Sequence, residues 1–364
     1  MHDLALYRKY RPISFEEVLG QDHIVKVLES SVETNKVSHA YLFVGSRGTG
    51  KTSVARIFAS AIGVSANDLY EIDAASNRGI EDVKLLRDGV RVLPFDSKYK
   101  VFIIDEVHML SKDAWGALLK TLEEPPKHVI FILATTELQK VPETIISRCQ
   151  VFTFKKASDT ALKKMLMDVA KAEGFELDVG SAELLAILAD GSFRDGLGEL
   201  QKVLNFHPTL RPPLDKGRVG ERSVKITRED VESITGAPKT TLVNNFISSI
   251  AEKNIEKGIL AVQTAAEENL DMRLYLKLII EKFRLAIILR YAPKLLDGSL
   301  PAGRQGDISE ADLKFLQELV KKDSGGMLRS PAISTLLESY QDIDNAFIAE
   351  LPLELALIKI LGEN

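Results

Sequence analysis

The chain reads as an α/β domain with a parallel sheet, followed by an all-helical region. Three observations lead there. Short apolar runs alternate with helix-patterned stretches up to about Phe154. One glycine-rich loop sits between an apolar run and a helix pattern, and after about Ala157 the strand signals stop while helix-period patterns continue to the end. Taken in order, strands are expected at Ala40–Val44, Leu69–Ile72, Lys100–Ile104, Val129–Leu133 and Gln150–Phe154. Helices are expected near Ile24–Thr34, Ser53–Ile62, Gly79–Val92 and Ser111–Glu123, where Ser111 and Asp113 suit a helix start and Pro125-Pro126 a stop. Beyond Ala157, helices are expected at Ser158–Glu173, Ser181–Ala189 and Arg194–Asn205. A shorter one opens at Thr227 with a capping-box pattern, and long runs such as Leu274–Tyr291 follow.

With 364 residues, the chain is too long for one ordinary core. The expected division is an α/β nucleotide-binding domain at 1–156, a small helical domain at 157–236 with a flexible insertion near 207–224, and an all-α domain at 237–364. The Pro/Gly-rich segment 293–307 reads as a second surface loop. Composition is globular, 45% hydrophobic and 27% charged, with no secretory pattern at the N-terminus and no membrane-length apolar run. A single cysteine, Cys149, excludes a disulfide framework or a multi-cysteine metal site, and a cytoplasmic location is expected. A net charge of −5 gives no global basic field, so nucleic acid could be held only by a local patch.

The loop Gly45-Ser46-Arg47-Gly48-Thr49-Gly50-Lys51-Thr52 matches G-x-x-x-x-G-K-[ST], which wraps nucleotide phosphates. Glycines let backbone N–H groups turn inward, Lys51 supplies a compact charge, and the Thr52 hydroxyl can ligate Mg²⁺. Residues Gly45 through Ser53 are therefore expected to bind a nucleoside triphosphate, which the resemblance given below makes ATP. Val101-Phe102-Ile103-Ile104-Asp105-Glu106 is a buried-strand pattern ending in two carboxylates, at the sheet edge where open α/β sheets bind ligands. Asp105 is expected to hold Mg²⁺ through water, and Glu106 to orient or deprotonate the water that attacks the γ-phosphate. Thr135 and Thr136 end the next strand with hydroxyls that could hold that water or sense the phosphate. His39 and His108 read as packing or hydrogen-bonding side chains, and Cys149 as a buried small residue.

Together with Arg8-Lys9-Tyr10-Arg11-Pro12, Gln21, Ser38-His39-Ala40-Tyr41, Glu71 to Ser76, Asp105 to Leu110, Leu119 to Pro126, Ala134-Thr135-Thr136 and Ser147-Arg148-Cys149, these motifs resemble a known family. It is the gamma/tau family of bacterial DNA polymerase III clamp-loader ATPases. The match is dense from Tyr7 to Phe154 and thinner through the helical half, with Leu353 to Leu357 still similar. The resemblance implies an AAA+ ATPase with a helical lid and a C-terminal collar that assembles a ring with other clamp-loader subunits. Its implied partners are a sliding clamp and primed DNA. It implies Thr135 as first sensor, Arg194 as second sensor, and Arg148 as an arginine finger reaching a neighbour's ATP. Tyr7, Arg8 and Arg11 would lie by the adenine and ribose. The family usually carries a four-cysteine zinc module after the phosphate-loop helix. The interval Phe58–Asp68 has no cysteine and is too short, so no zinc is expected, and longer tau-type C-terminal extensions are not expected either.

Lys84, Arg87 and Arg91 recur at helical spacing and form a basic stripe, which reads either as a solvated face balanced by Glu81, Asp82 and Asp88 or, by the resemblance, as a surface on duplex phosphates. Three other functions share parts of this pattern. A stator-like scaffold subunit would keep Ser-Arg-Cys but lose a working phosphate loop. A branch-migration motor would need a winged-helix end. A replication-factor-C-type small subunit shares the core motifs.

Overall fold

In the computed structural model, residues 4–76, 89–206, 224–293, 308–323 and 325–362 are described. The chain divides into two compact units, residues 1–162 with 189–198, and residues 163–188 with 199–364.

The first unit is built on a five-stranded parallel sheet in the order β2-β3-β4-β1-β5. Its strands are β1 (Ala40–Val44), β2 (Leu69–Asp73), β3 (Lys100–Asp105), β4 (Val129–Thr135) and β5 (Gln150–Thr153). Because successive side chains point to opposite faces, the central strands must be apolar throughout when both faces are covered. Leu42, Phe102, Ile104, Phe131 and Leu133 pack on one face with Trp115, Leu118 and Leu122 of the helix Lys112–Glu123. Tyr41, Phe43, Val101, Ile103 and Ile132 pack on the other with the helices Asp22–Glu33 and Lys51–Ala61. Ser111 caps its helix as expected, accepting the Ala114 amide. The strand order places β4 between the phosphate-loop strand β1 and the carboxylate strand β3, so all three strand ends meet at one edge.

The second unit is mainly helical, with its last helices at Thr240–Ala251, Ile255–Glu267, Met272–Tyr291, Glu310–Lys322, Ser330–Asp342 and Leu351–Gly362. The capping box at Thr227 forms, with the Thr227 hydroxyl accepting the Asp230 amide and the Asp230 carboxylate accepting the Thr227 amide. One expectation is corrected. Strands do not cease after Ala157, because β6 (Phe175–Leu177) and β7 (Val224–Ile226) pair in parallel. Three-residue strands are too short to show a period, and these two are held by pairing between residues far apart in sequence. The expected helix Gly79–Val92 falls mostly outside the described residues, as does the insertion near 207–224 except for Val224, the first residue of β7.

Candidate nucleotide site

The phosphate loop turns from the buried end of β1 into the helix Lys51–Ala61. That helix begins two residues earlier than the apolar pattern suggested, so Lys51 and Thr52 occupy its first turn, where the helix N-terminus favours anions. Gly50 precedes it in the left-handed region (φ 99°), which only glycine adopts freely. At Gly48 (φ 74°) an added Cβ would collide with the Ser192 hydroxyl, and the Gly48 carbonyl accepts the Phe193 amide at 3.0 Å. The loop is thus docked against Ser192–Arg194, the start of the helix Phe193–Phe206, and Arg194 is carried to it.

Lys51 is 5% exposed, and its ammonium donates to the Gly45 and Ser46 carbonyls at 2.7 and 3.0 Å. Burial pushes it down from its ordinary value, while Glu106 and Asp105 pull it back up. The Thr52 hydroxyl donates to the Asp105 carboxylate at 2.7 Å. Those two oxygens, on the loop and on the end of β3, are the hard donor type that Mg²⁺ takes. Among the described residues no group of three or more His, Cys, Asp or Glu is arranged to hold a metal ion.

A second layer of positive charge surrounds this core. Arg194 lies 5.8 Å from the centre of the Tyr7 ring, and Arg8 lies 5.7 Å from the same ring. Burial, Arg56 and Arg194 push the Arg11 guanidinium down, against Glu71 and Asp105. The structure therefore places Tyr7, Arg8, Arg11, Lys51, Thr52, Asp105, Glu106 and Arg194 in one unit, with Arg11, Lys51 and Arg194 close enough to feel one another's charge. Gln21, 1% exposed, supports this corner: its amide donates to the Lys155 carbonyl and accepts the Lys155 amide. Gln21 is among the residues that carry the family resemblance, but neither it nor Ser192 has a charge or a spacing that would reveal these contacts.

At the end of β4 the Thr135 side chain is fully buried, accepting the Glu137 amide at 3.0 Å with His108 Nδ1 at 3.1 Å. It is Thr136 whose hydroxyl donates to Glu106, at 3.1 Å. Arg148 follows the short helix Glu143–Ile146, where its guanidinium donates to the Thr144 carbonyl and to Glu123 at 2.9 Å. Cys149 beside it is half-buried rather than buried, and burial raises its thiol to about 11, which leaves it protonated near neutral pH. Of the basic stripe, Lys84 and Arg87 lie outside the described residues and Arg91 is exposed.

A family model described as DNA polymerase III, delta subunit, matches residues 20–77 and 63–158. The chain is 40% identical over 312 residues to the Bacillus subtilis DNA polymerase III subunit tau, covering 80% of this chain and 53% of that one. It is 34% identical over 368 residues to the Mycobacterium tuberculosis DNA polymerase III subunit gamma/tau, covering 92% and 61%. Among solved structures, the Thermotoga maritima RuvB Holliday junction branch migration motor superposes with a TM-score of 0.51 at 20% identity, over 72% of this chain and 86% of that one. At that identity the likeness concerns the fold alone. Parallel sheet, phosphate loop and helical continuation define an α/β fold of the AAA+ type. Within that class the curated relatives are consistent, and the chain belongs to the DNA polymerase III gamma/tau family. It spans about half the length of the first of these relatives.

Proposed function

We propose that the chain is a clamp-loader ATPase subunit of the replicative DNA polymerase III holoenzyme, using ATP binding and hydrolysis to load a sliding clamp onto primed DNA. The observation that carries this reading is the meeting of Lys51, the Thr52–Asp105 pair, Glu106 and Arg194 at one sheet edge, in a chain of the gamma/tau family. Backbone amides of the loop and Lys51 would hold the phosphates. Arg194 would close on them from the helix Phe193–Phe206, and Tyr7, Arg8 and Arg11 would lie by the base and sugar. Thr52 and Asp105 would hold Mg²⁺, which supplies charge neutralisation on the transferred phosphoryl group. Glu106 would orient and deprotonate the attacking water, and Thr135 would act as the sensor at the strand end. Arg148 would serve a neighbouring subunit's nucleotide, since a guanidinium stays charged and forks onto phosphate oxygens.

The same reading divides the chain into an AAA+ domain at 1–156, a lid at 157–236 and a collar at 237–364 that assembles with other clamp-loader subunits. Lys84, Arg87 and Arg91 would face duplex phosphates. The chain would work in the cytoplasm, with the replisome on the nucleoid. The deciding experiment measures ATP hydrolysis by the chain alone and in a reconstituted clamp loader, with and without clamp and primed DNA. Stimulation by clamp and DNA in the assembled ring is expected; an assembled ring whose turnover ignores both would exclude clamp loading.

A further inference from the structure

We propose that His108 is a positioning residue for Glu106, tying its carboxylate to Glu137 at the head of the segment that ends in Arg148. This role presupposes the ATPase reading, with Glu106 as the base.

The His108 side chain is only 7% exposed, yet each of its nitrogens faces oxygen. Nδ1 lies 3.1 Å from Thr135 Oγ1 and 3.4 Å from Glu106 Oε2, and Nε2 lies 3.3 Å from Glu137 Oε1. A ring kept for packing alone needs no such set of neighbours; this one is hydrogen-bonded to Thr135 and stands within ion-pair distance of both carboxylates. The surroundings converge on Glu106. Its backbone is left-handed (φ 48°), a conformation that costs energy for a residue with a side chain and that recurs at functional sites. Its Oε2 also accepts the Thr136 hydroxyl, so Thr135, Thr136 and Glu137 all bear on the Glu106–His108 pair.

The far side of the ring gives this arrangement a direction. Glu137 is held in turn by Lys140 at 2.8 Å, whose hydrogen bond keeps the Glu137 carboxyl below the usual range. The chain then runs through the turn Leu138–Lys140 and the helix Glu143–Ile146 to Arg148. A displacement of this segment therefore reaches the Glu106 carboxylate through the His108 imidazole as well as through the Thr136 hydroxyl beside it. His108 would couple the arginine that serves the neighbour's nucleotide to the base that serves its own. Misplacing a base by about 1 Å can cost on the order of a hundredfold in rate, so the link has a measurable consequence.

Two substitutions separate positioning from packing. His108→Phe fills the same space without nitrogens; His108→Asn keeps an amide near the place of Nδ1 but fills less. In the reconstituted clamp loader with clamp and primed DNA, His108→Phe should keep ATP affinity within about threefold and slow single-turnover hydrolysis about 10- to 100-fold. His108→Asn should recover most of that rate. Parental rate in His108→Phe, or a His108→Asn variant no faster than His108→Phe, would overturn the proposal. Glu137→Gln, at a half-exposed position that should not threaten folding, is expected to slow the step about 3- to 10-fold without changing ATP affinity. Unchanged kinetics there would break the tie to Arg148's segment. Glu106→Gln provides the distinguishing control. If it hydrolyses ATP normally, the base assignment fails and the His108 role with it; if it is inactive while His108→Phe is not, only the His108 role fails.

Discussion

Lys51 and Asp68 show how burial is used in opposite ways at single residues. Among the described residues Lys51 has only backbone carbonyls as hydrogen-bond partners, a costly buried placement that suits an ammonium reserved for phosphate. Lys51→Ala should abolish ATP binding while leaving the fold intact, and nucleotide titration by fluorescence checks this. Retained affinity would remove Lys51 from the site. Asp68, 1% exposed, accepts the amides of Phe95, Asp96 and Ser97, and fastens the turn before β3 to the start of β2. Burial pushes its carboxyl upward, but those amides outweigh it and bring it to about 2. The folded value lies below the roughly 3.9 of an unfolded aspartate, so the stabilisation is complete above about pH 4 and is lost as pH falls through about 2. Asp68→Asn should flatten that acid limb of a stability–pH curve and cost about 1–3 kcal/mol at neutral pH.

At the scale of elements, the second unit is cross-linked by a buried set of charges. Arg228, on the helix Arg228–Thr235, reaches Glu232 and Asp312 at 3.2 Å each and Glu183 at 3.7 Å, and Lys282 pairs with Asp312. Four helices meet in this set, namely Val179–Ala189, Arg228–Thr235, Met272–Tyr291 and Glu310–Lys322. Lys282 and Arg228 outweigh burial at Asp312 and hold its carboxyl below the usual range, whereas burial wins at Glu183 and raises it. Breaking such a set from one side strands a charge in a medium that cannot solvate it. Lys282→Met should therefore destabilise the chain by about 3–5 kcal/mol, and Lys282→Met with Asp312→Leu should recover a large part of it. Urea unfolding of the three proteins compares these outcomes; a single variant as stable as the parent would show that water reaches the set.

For the whole molecule, the features that the proposed function would set against a neighbour are Arg148 and the last helix. Leu351, Leu355 and Ile358 recur along one stripe of the helix Leu351–Gly362 and stay exposed, with Phe347 and Ile348 exposed just before it. An apolar stripe of this kind is what a subunit interface would cover. Leu355→Glu with Ile358→Glu should leave the chain folded and ATP-competent but weaken its incorporation into the clamp loader at least about tenfold, as read by light scattering after gel filtration. Among the described residues Arg148 is tethered to Thr144, Ser147 and Glu123, all solvated partners that it can leave cheaply. Arg148→Ala should retain ATP affinity and lose most DNA-stimulated hydrolysis in the ring. Full stimulated turnover would end the trans-finger assignment.

Much of this was legible in the sequence itself, for reasons that are local. Ala40–Val44 must be a buried strand because all five residues are apolar or aromatic and a glycine-rich loop follows; the Thr227 box forms because its two hydrogen bonds close within four residues. The spacing of Gly45, Gly50, Lys51 and Thr52 likewise carries its own chemistry, since the loop needs no distant partner to turn. Tertiary structure alone decided the rest. Pairing between residues 175–177 and 224–226 has no periodic signature at three residues each. The contacts of Arg194 with Tyr7, Gln21 with Lys155, and His108 with Glu106 and Glu137 join residues whose types are unremarkable one by one. The strand order decided that β4 lies between β1 and β3, and the fold at its end that Thr136 rather than Thr135 offers its hydroxyl to Glu106. Sequence determines what a short stretch can do by itself; which side chains share a network depends on how the sheet is wound, and no local pattern records that.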